Sequence, residues 1–164
     1  MKNKKLFLIL LSTSLAILST LSFADIHPKN GNWQPEINSY DIKGCPPMMR
    51  SAFKKEKLYS KSKKATFSKP FHPNDLFDPK DMSPDGTEDV KWIKINPNEW
   101  KTTLHMGQEG MTMDMTWNIK VTSETTMDMN SHFSMNFSKE MLTMMGGASE
   151  CKVDSSGIIK HKNN

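Results

Sequence analysis

Apolar and polar residues alternate almost without interruption through the middle of the chain. One alternating stretch covers residues 111–121 and a second covers residues 127–137, where only Ser131 departs from the pattern. A repeat of two residues places successive side chains on opposite faces of a β-strand. We therefore predict two antiparallel strands, joined by a turn at residues 122–126, with one apolar and one polar face.

Methionine occupies much of the predicted apolar face. Its unbranched side chain fits a pleated sheet less well than β-branched or aromatic side chains do. It fills irregular gaps, however, and is common at adaptable binding surfaces. The pattern therefore indicates either a soft sheet interior or thioethers that bind a ligand. The methionines concerned are Met111, Met113, Met115, Met127, Met129 and Met135.

Shorter patterns after residue 90 extend these strands into a β-meander. Glycine, proline and asparagine mark the turns between the apolar runs. The predicted strands are 91–95, 100–106 and 151–153, the turns 96–99, 107–110 and 154–157, with a short helix at 139–145 and a basic tail at 158–164.

The part of the chain before residue 90 is less regular. A strand is predicted at 33–43, which Pro35 keeps short or at a sheet edge, and a short helix at 48–58. Residues 69–89 contain four prolines and six acidic residues and predict a long irregular loop. The expected fold is mostly β: an antiparallel meander of five to seven strands, forming a half-barrel or sandwich with one or two short helices.

The first 24 residues have the composition of a secretory signal. Three lysines precede an apolar stretch that ends in the small-x-small sequence of Ser22 to Ala24. We expect cleavage there to leave residues 25–164 as one exported domain, periplasmic or secreted, in a bacterium. The residue directly after the cleavage site is not a cysteine, so we expect no lipoprotein or other membrane anchor.

Loss of the signal also changes the charge. Three of the 22 basic residues and none of the 18 acidic residues lie before Asp25, so the mature domain carries a formal charge of +1. This near-neutral balance argues against nucleic acid as a partner, because that binding depends on neutralising many phosphates.

Two cysteines, Cys45 and Cys151, lie far apart in the sequence. An even number of cysteines in an exported chain favours a disulfide bond. A redox-active pair would have the C-x-x-C spacing, whereas Cys45 is followed by two prolines. We therefore predict a structural bridge between the two.

The turn lengths predict a register for the strands. A five-residue loop at 122–126 places Met113 opposite Met135 and His132 opposite Thr116. A four-residue loop at 107–110 places His105 opposite Thr112. Both histidines then lie on the polar face, away from the methionines. The same loop places Met106 opposite Met111, Leu104 opposite Met113, and Trp100 opposite Trp117.

Thioether sulfur favours soft monovalent metal ions. The methionine face is therefore a candidate site for Cu(I) or Ag(I), and the predicted register makes it a methionine-only site. The candidate ligands are Met111, Met113, Met115 and Met135.

The sequence Met111-Thr112-Met113 resembles the M-T-M pair of the periplasmic copper- and silver-binding chaperones of metal-efflux systems. Those proteins are small β-barrels that also use a histidine and a tryptophan capping the metal. The resemblance implies a copper or silver ligand. In that family the tryptophan precedes the methionine pair, whereas Trp117 follows it here.

The whole chain is similar to a broad family of small exported bacterial proteins. Those proteins begin with a G-x-W motif and end near a cysteine, as Gly31-Asn32-Trp33 and Cys151 do here. That family has no established activity, so the resemblance implies export only.

Catalytic motifs are missing from the sequence. It contains no serine elbow, no H-E-x-x-H and no glycine-rich phosphate loop. We expect a non-catalytic periplasmic binding or interaction module without a cofactor, whose partner is a protein or a small apolar ligand. The alternative is a protein that binds Cu(I) or Ag(I).

Overall fold

A computed structural model describes residues 25–55, 62–78, 90–146 and 148–162. The predicted signal segment, residues 1–24, lies outside the described residues. Within the described ranges, neither helix has the length and apolar character needed to cross a membrane.

Seven antiparallel strands form one curled, half-barrel sheet, which confirms the predicted fold class. In the described part of the chain, two α-helices accompany it: α1 (Pro47–Lys55) and α2 (Lys139–Met145). The strands are β1 (Gly31–Lys43), β2 (Lys63–Ala65), β3 (Ile93–Asn96), β4 (Glu99–Gln108), β5 (Met111–Ser123), β6 (Thr126–Phe137) and β7 (Glu150–Lys162). They lie in the order β2-β1-β7-β6-β5-β4-β3.

The predicted register is confirmed for β5 and β6. Met113 pairs with Met135, and Thr116 pairs with His132. Alternating side chains of β5 from Met115 to Val121 are buried, so the apolar register faces the core as predicted.

The predicted register between β4 and β5 is wrong by two residues. The connection is a two-residue turn at Glu109 and Gly110, so Gln108 pairs with Met111. Gly110 has a φ of 81°, which favours glycine, whereas Gly107 continues the strand. A shift of two residues changes the partners but keeps every side chain on its predicted face.

The same shift changes the partners of individual residues in β4. His105 pairs with Asp114 rather than Thr112, and Trp100 pairs with Ile119 rather than Trp117. Met106 pairs with Met113, and Leu104 pairs with Met115.

The predicted turn at 154–157 and basic tail at 158–164 are wrong for residues up to 162. They form the greater part of β7, which lies between β1 and β6. Ile159 is 2% exposed, and the Ser155 hydroxyl bonds the hydroxyl of Ser131 at 2.6 Å on the buried face. Tertiary partners thus hold a turn-like sequence in an extended conformation.

The first strand is longer than predicted. β1 has 13 residues and pairs with β7 along its length, around a bulge near Asn38. Pairing between β1 and β2 reaches only from Gly31 to Trp33. Pro35 therefore lies beyond the pairing with β2, where no described strand pairs with the outer side of β1. This agrees with the prediction that Pro35 lies at a sheet edge.

Part of the predicted long loop at 69–89 is built into the core. Residues 73–75 form a short 3-10 helix. Phe71 and Leu76 are 2% and 5% exposed, and the Phe71 ring packs edge-on against Trp100 at 4.9 Å. Apart from this helical turn the described part of the loop is irregular, as predicted, but it packs into the core; residues 79–89 lie outside the described residues.

The apolar face of the sheet is covered differently at its two ends. At one end, Trp33, Phe67 and Phe71 pack with strand residues in a well-buried cluster. At the other end, α1, α2 and the cysteines pack over β5, β6 and β7. This second end contains the candidate site.

Candidate functional site

A disulfide bond anchors α1 to the sheet. Cys45 and Cys151 are bonded as predicted, and each is at most 1% exposed. Cys45 lies between β1 and α1, while Cys151 is the second residue of β7. The Nε of Arg50 in α1 donates a hydrogen bond of 2.8 Å to the carbonyl oxygen of Cys45. The helix is thus fixed at one end of the apolar face.

A cap and a turn hold α2 over the same end. The Ser138 hydroxyl accepts a hydrogen bond of 3.3 Å from the N–H of Met141. The N–H of Ser138 donates to the carbonyl oxygen of Gly110, at 2.8 Å, in the turn between β4 and β5. The first bond satisfies an N–H group that the start of a helix leaves unpaired, and the second fixes the position of the helix start. Met141, Leu142 and Met145 consequently pack against the apolar face.

Sulfur-containing residues occupy directly opposite positions on four neighbouring strands. Met106 pairs with Met113, Met113 with Met135, and Met135 with Cys151. Directly opposite residues have Cβ atoms about 4.5–5.5 Å apart. We call Met106, Met113 and Met135 the methionine row. Met106 was not among the predicted ligands; the predicted turn placed it opposite Met111, two residues from its actual partner, Met113.

The other two predicted metal ligands lie beside this row on β5. Met111 lies between Gln108 and Phe137, and Met115 lies between Leu104 and Phe133. Met115 is 4% exposed and packs with the core. Of the four candidate ligands, the register therefore makes only Met113 and Met135 direct partners.

Half-buried methionines lie in the row and around it. They come from β4 and β5 and from both helices, and they pack with apolar neighbours around Met135 and Phe133. Met48 and Met144, each adjacent in sequence to a member of this set, are 80% and 78% exposed. We call the half-buried set the methionine-lined end: Met49, Met106, Met111, Met113, Met141 and Met145.

This partial exposure contrasts with the rest of the methionine face. Met127 and Met129 are 0% and 1% exposed, in the cluster sealed by residues 65–77. One part of the face is thus sealed core, while the other leaves flexible, polarisable side chains in contact with solvent. Only the second part can accept a ligand without opening the core.

The two predicted histidines lie on the polar face, as expected. The Nδ1 of His105 bonds the carboxylate of Asp114, and the Nδ1 of His132 bonds that of Asp154 at 2.6 Å. Each bond joins adjacent strands across the sheet. Neither histidine can therefore join the methionine row as a ligand, because the sheet lies between them.

The described part of the chain contains no cluster of the ligands that harder metal ions prefer. No group of three or more histidine, cysteine, aspartate or glutamate residues there could hold a metal ion. Any metal at the methionine row would be bound by thioethers alone, a donor set suited to soft monovalent ions.

No family model, curated protein or solved structure matches the chain. The resemblances drawn from the M-T-M and G-x-W sequences therefore stay predictions. Within this fold, Trp33 of the G-x-W sequence is fully buried and its Nε1 donates to the carbonyl oxygen of Lys29 at 2.9 Å. Gly31 has a φ of 142°, and a side chain there would collide with His161. The motif thus has a structural role at the start of β1.

Proposed function

We propose that the protein is an exported, non-catalytic interaction module that binds an apolar segment of a partner polypeptide at its methionine-lined end. The observation that carries this proposal is the contrast between sealed and half-buried methionines on one sheet face. Methionine adapts its shape to different partners because it is unbranched and has three rotatable bonds.

The arrangement of the surface favours a polypeptide over a small ligand. Its side chains come from two strands and two helices. Among the described residues, four large apolar side chains are exposed, and two of them, Met48 and Met144, belong to those helices. A surface spread over several elements matches an amphipathic helix laid along an apolar patch.

The charge of α1 suggests the sign of the charge on the partner. The sequence of this helix contains three basic residues and no acidic residue. Opposite charge across an interface steers association and fixes orientation. The partner segment therefore carries apolar residues on one face and acidic residues at its margins.

A labelled acidic amphipathic peptide, built from leucine and glutamate, provides a defined probe. We expect it to bind the mature protein and to raise fluorescence anisotropy. The triple variant M106Q/M111Q/M113Q keeps side-chain length but makes the surface polar. Burying the exposed part of each methionine contributes about 1 kcal/mol, so we expect the variant to bind roughly a hundredfold more weakly.

The matched control is M106L/M111L/M113L, which stays apolar and lacks sulfur. It should bind the peptide about as well as the wild type, because apolar area drives the contact. Circular dichroism checks that both variants fold. Equal affinity of the glutamine and wild-type proteins would contradict the proposal. Binding of the neutral dye N-phenyl-1-naphthylamine, without binding of the peptide, would favour a small apolar ligand instead.

The methionine row supports a second candidate, binding of Cu(I) or Ag(I). Its three thioethers lie on adjacent strands, and Met106 and Met113 are half-buried while Met135 is 3% exposed. Two or three converging thioethers can hold a soft ion without thiolates.

A titration with Cu(I) under a competing chelator tests this candidate. The double variant M113L/M135L should lose affinity, while M127L/M129L, in the sealed cluster, should keep it. A wild-type affinity no tighter than that of M113L/M135L would rule out metal binding at the row. The same leucine changes should leave peptide binding intact, which separates the two candidates.

A further inference from the structure

An open groove of about 390 Å³ crosses the opposite, polar face of the sheet. Residues of β1, β5, β6 and β7 line it, and those whose side chains belong to the polar face form two rows. One row runs from Thr116 through His132 and Asp154 to Asp41. With strands about 4.8 Å apart, four strands give the row a length of roughly 14 Å. The groove is therefore elongated.

The second row consists of neutral amides and hydroxyls. Asn118 pairs with Asn130, Asn130 with Ser156, and Ser156 with Ser39. The two serine hydroxyls hydrogen-bond each other at 2.7 Å, which uses only one of their two hydrogens. The row thus offers hydrogen-bonding groups without formal charge.

His132 is a lining residue of the groove with one ring nitrogen already bonded. Its Nδ1 bonds Asp154, and an ionised carboxylate only accepts, so Nδ1 carries the hydrogen. In the neutral ring the Nε2 atom is then an acceptor. Histidine and aspartate together therefore fix the tautomer that receives a hydrogen bond from a ligand.

Asn118 contributes an acceptor that lacks a donor. Its Nδ2 donates to Glu99 at 2.9 Å, whereas its Oδ1 is buried and has no hydrogen-bond partner in the described part of the chain. A buried polar atom without a partner costs about 1–3 kcal/mol. A ligand N–H or O–H group that reaches this oxygen would remove that cost.

The carboxylates of the groove are already paired. Asp41 contacts the ammonium group of Lys43 at 2.6 Å, and this contact raises the pKa of Lys43. Asp154 is held by His132. Because each carboxylate has its own partner, the groove does not require a cationic ligand, while two carboxylates disfavour an anionic one.

We propose that this groove binds a neutral, polyhydroxylated ligand, namely a short segment of a sugar chain. Hydroxyl groups would donate to Asn118 Oδ1 and His132 Nε2 and accept from the serine and amide groups. The volume falls in the range of roughly 300–1,000 Å³ that is typical of small-ligand clefts. The groove lies on the face opposite the methionine-lined end, so the two proposals stand independently.

Titration of the ¹⁵N-labelled mature protein, followed by NMR, tests the proposal with three probes. Maltotriose supplies hydroxyl groups, triacetylchitotriose adds acetamido N–H groups, and spermidine supplies only cationic donors. We expect at least one sugar, at millimolar concentration, to shift the amide signals of Asn118, Asn130, His132 and Ser156. The sugar that binds more tightly shows whether the groove prefers a plain or an N-acetylated sugar chain.

Two variants and a matched control localise the binding. N118A and N130A should each weaken it about fivefold, as expected for one lost hydrogen bond. N136A changes another exposed asparagine on the same face of β6, outside the groove, and should bind as the wild type does. N130A keeps the Asn118–Glu99 bond, so it stays informative if N118A fails to fold.

Three outcomes would overturn the proposal. The first is the absence of groove-localised shifts with both sugars. The second is equal binding by N130A and the wild type. The third is binding of spermidine in place of the sugars, which would make the groove a cation site.

Discussion

Simultaneous replacement of Cys45 and Cys151 by alanine is expected to remove much of the stability of the fold. The two residues are 106 positions apart, so their bond closes a loop that includes most of the domain. In the chain-entropy description, such a cross-link reduces the freedom of the unfolded chain by about 4.7 kcal/mol. A domain of this size has a total free energy of unfolding of about 5–15 kcal/mol. The variant should therefore approach the limit of stable folding.

Urea denaturation followed by tryptophan fluorescence measures the effect, since the chain has four tryptophans and Trp33, Trp100 and Trp117 are buried. The double alanine variant should unfold at much lower urea, and the reduced wild type should match it. Reductant should leave the variant unchanged. A loss smaller than about 2 kcal/mol, or a reduced wild type as stable as the oxidised one, would refute this reasoning.

Two further changes test contacts around β1 and β7. A side chain at Gly157 would place its Cβ 2.6 Å from the carbonyl oxygen of Glu36, so G157A should destabilise the protein by about 1–3 kcal/mol. G107A meets nothing within 4 Å and should be neutral or slightly stabilising in the same urea titration; similar losses for both variants would contradict the packing argument. Hydrogen bonds from Lys160 and Lys162 lower the pKa of Glu36 despite an opposing effect of burial. The stability that Glu36 contributes through these two lysines is present above the ordinary pKa of glutamate. It is lost as the pH falls through the lowered pKa. E36Q should therefore be less stable than the wild type at neutral pH, and the difference should shrink as the pH falls through that lowered pKa; a difference that stays the same throughout an acid titration would refute the linkage.

The alternation of residues predicted β5 and β6 because both strands face the core along one side. Few residues separate the two strands, so the turn between them has to be short. Met113 could therefore be paired with Met135 from the sequence. The pairing of β4 could not be derived with the same accuracy. Gly107 and Gly110 both suggest a turn, and only the backbone shows that Gly110 alone adopts a positive φ.

The last strand shows why tertiary contacts limit sequence-based prediction. Asp154, the two serines after it and Gly157 have the composition of a turn. Within the sheet, Ser155 bonds Ser131, and Gly157 allows β1 to approach closely. Neither partner can be recognised from local sequence, because both lie more than 20 residues away.

The candidate site was predicted in part for the same reason. The sequence placed methionines on one face and both histidines on the other, and the structure confirms this separation. It did not predict that Met49, Met141 and Met145 reach the same end from two helices. The polar groove was also missed, since it depends on residues from four strands that only the fold brings together.

The most direct test of the proposed interaction surface is an NMR spectrum of protein labelled with ¹³C at the methionine methyl groups, recorded with and without the acidic amphipathic peptide. We predict that the signals of Met106, Met111, Met113, Met141 and Met145 shift on binding. Those of Met127 and Met129, sealed in the core, should stay in place. Shifts confined to the sealed methionines, or none at the methionine-lined end, would contradict the proposed function.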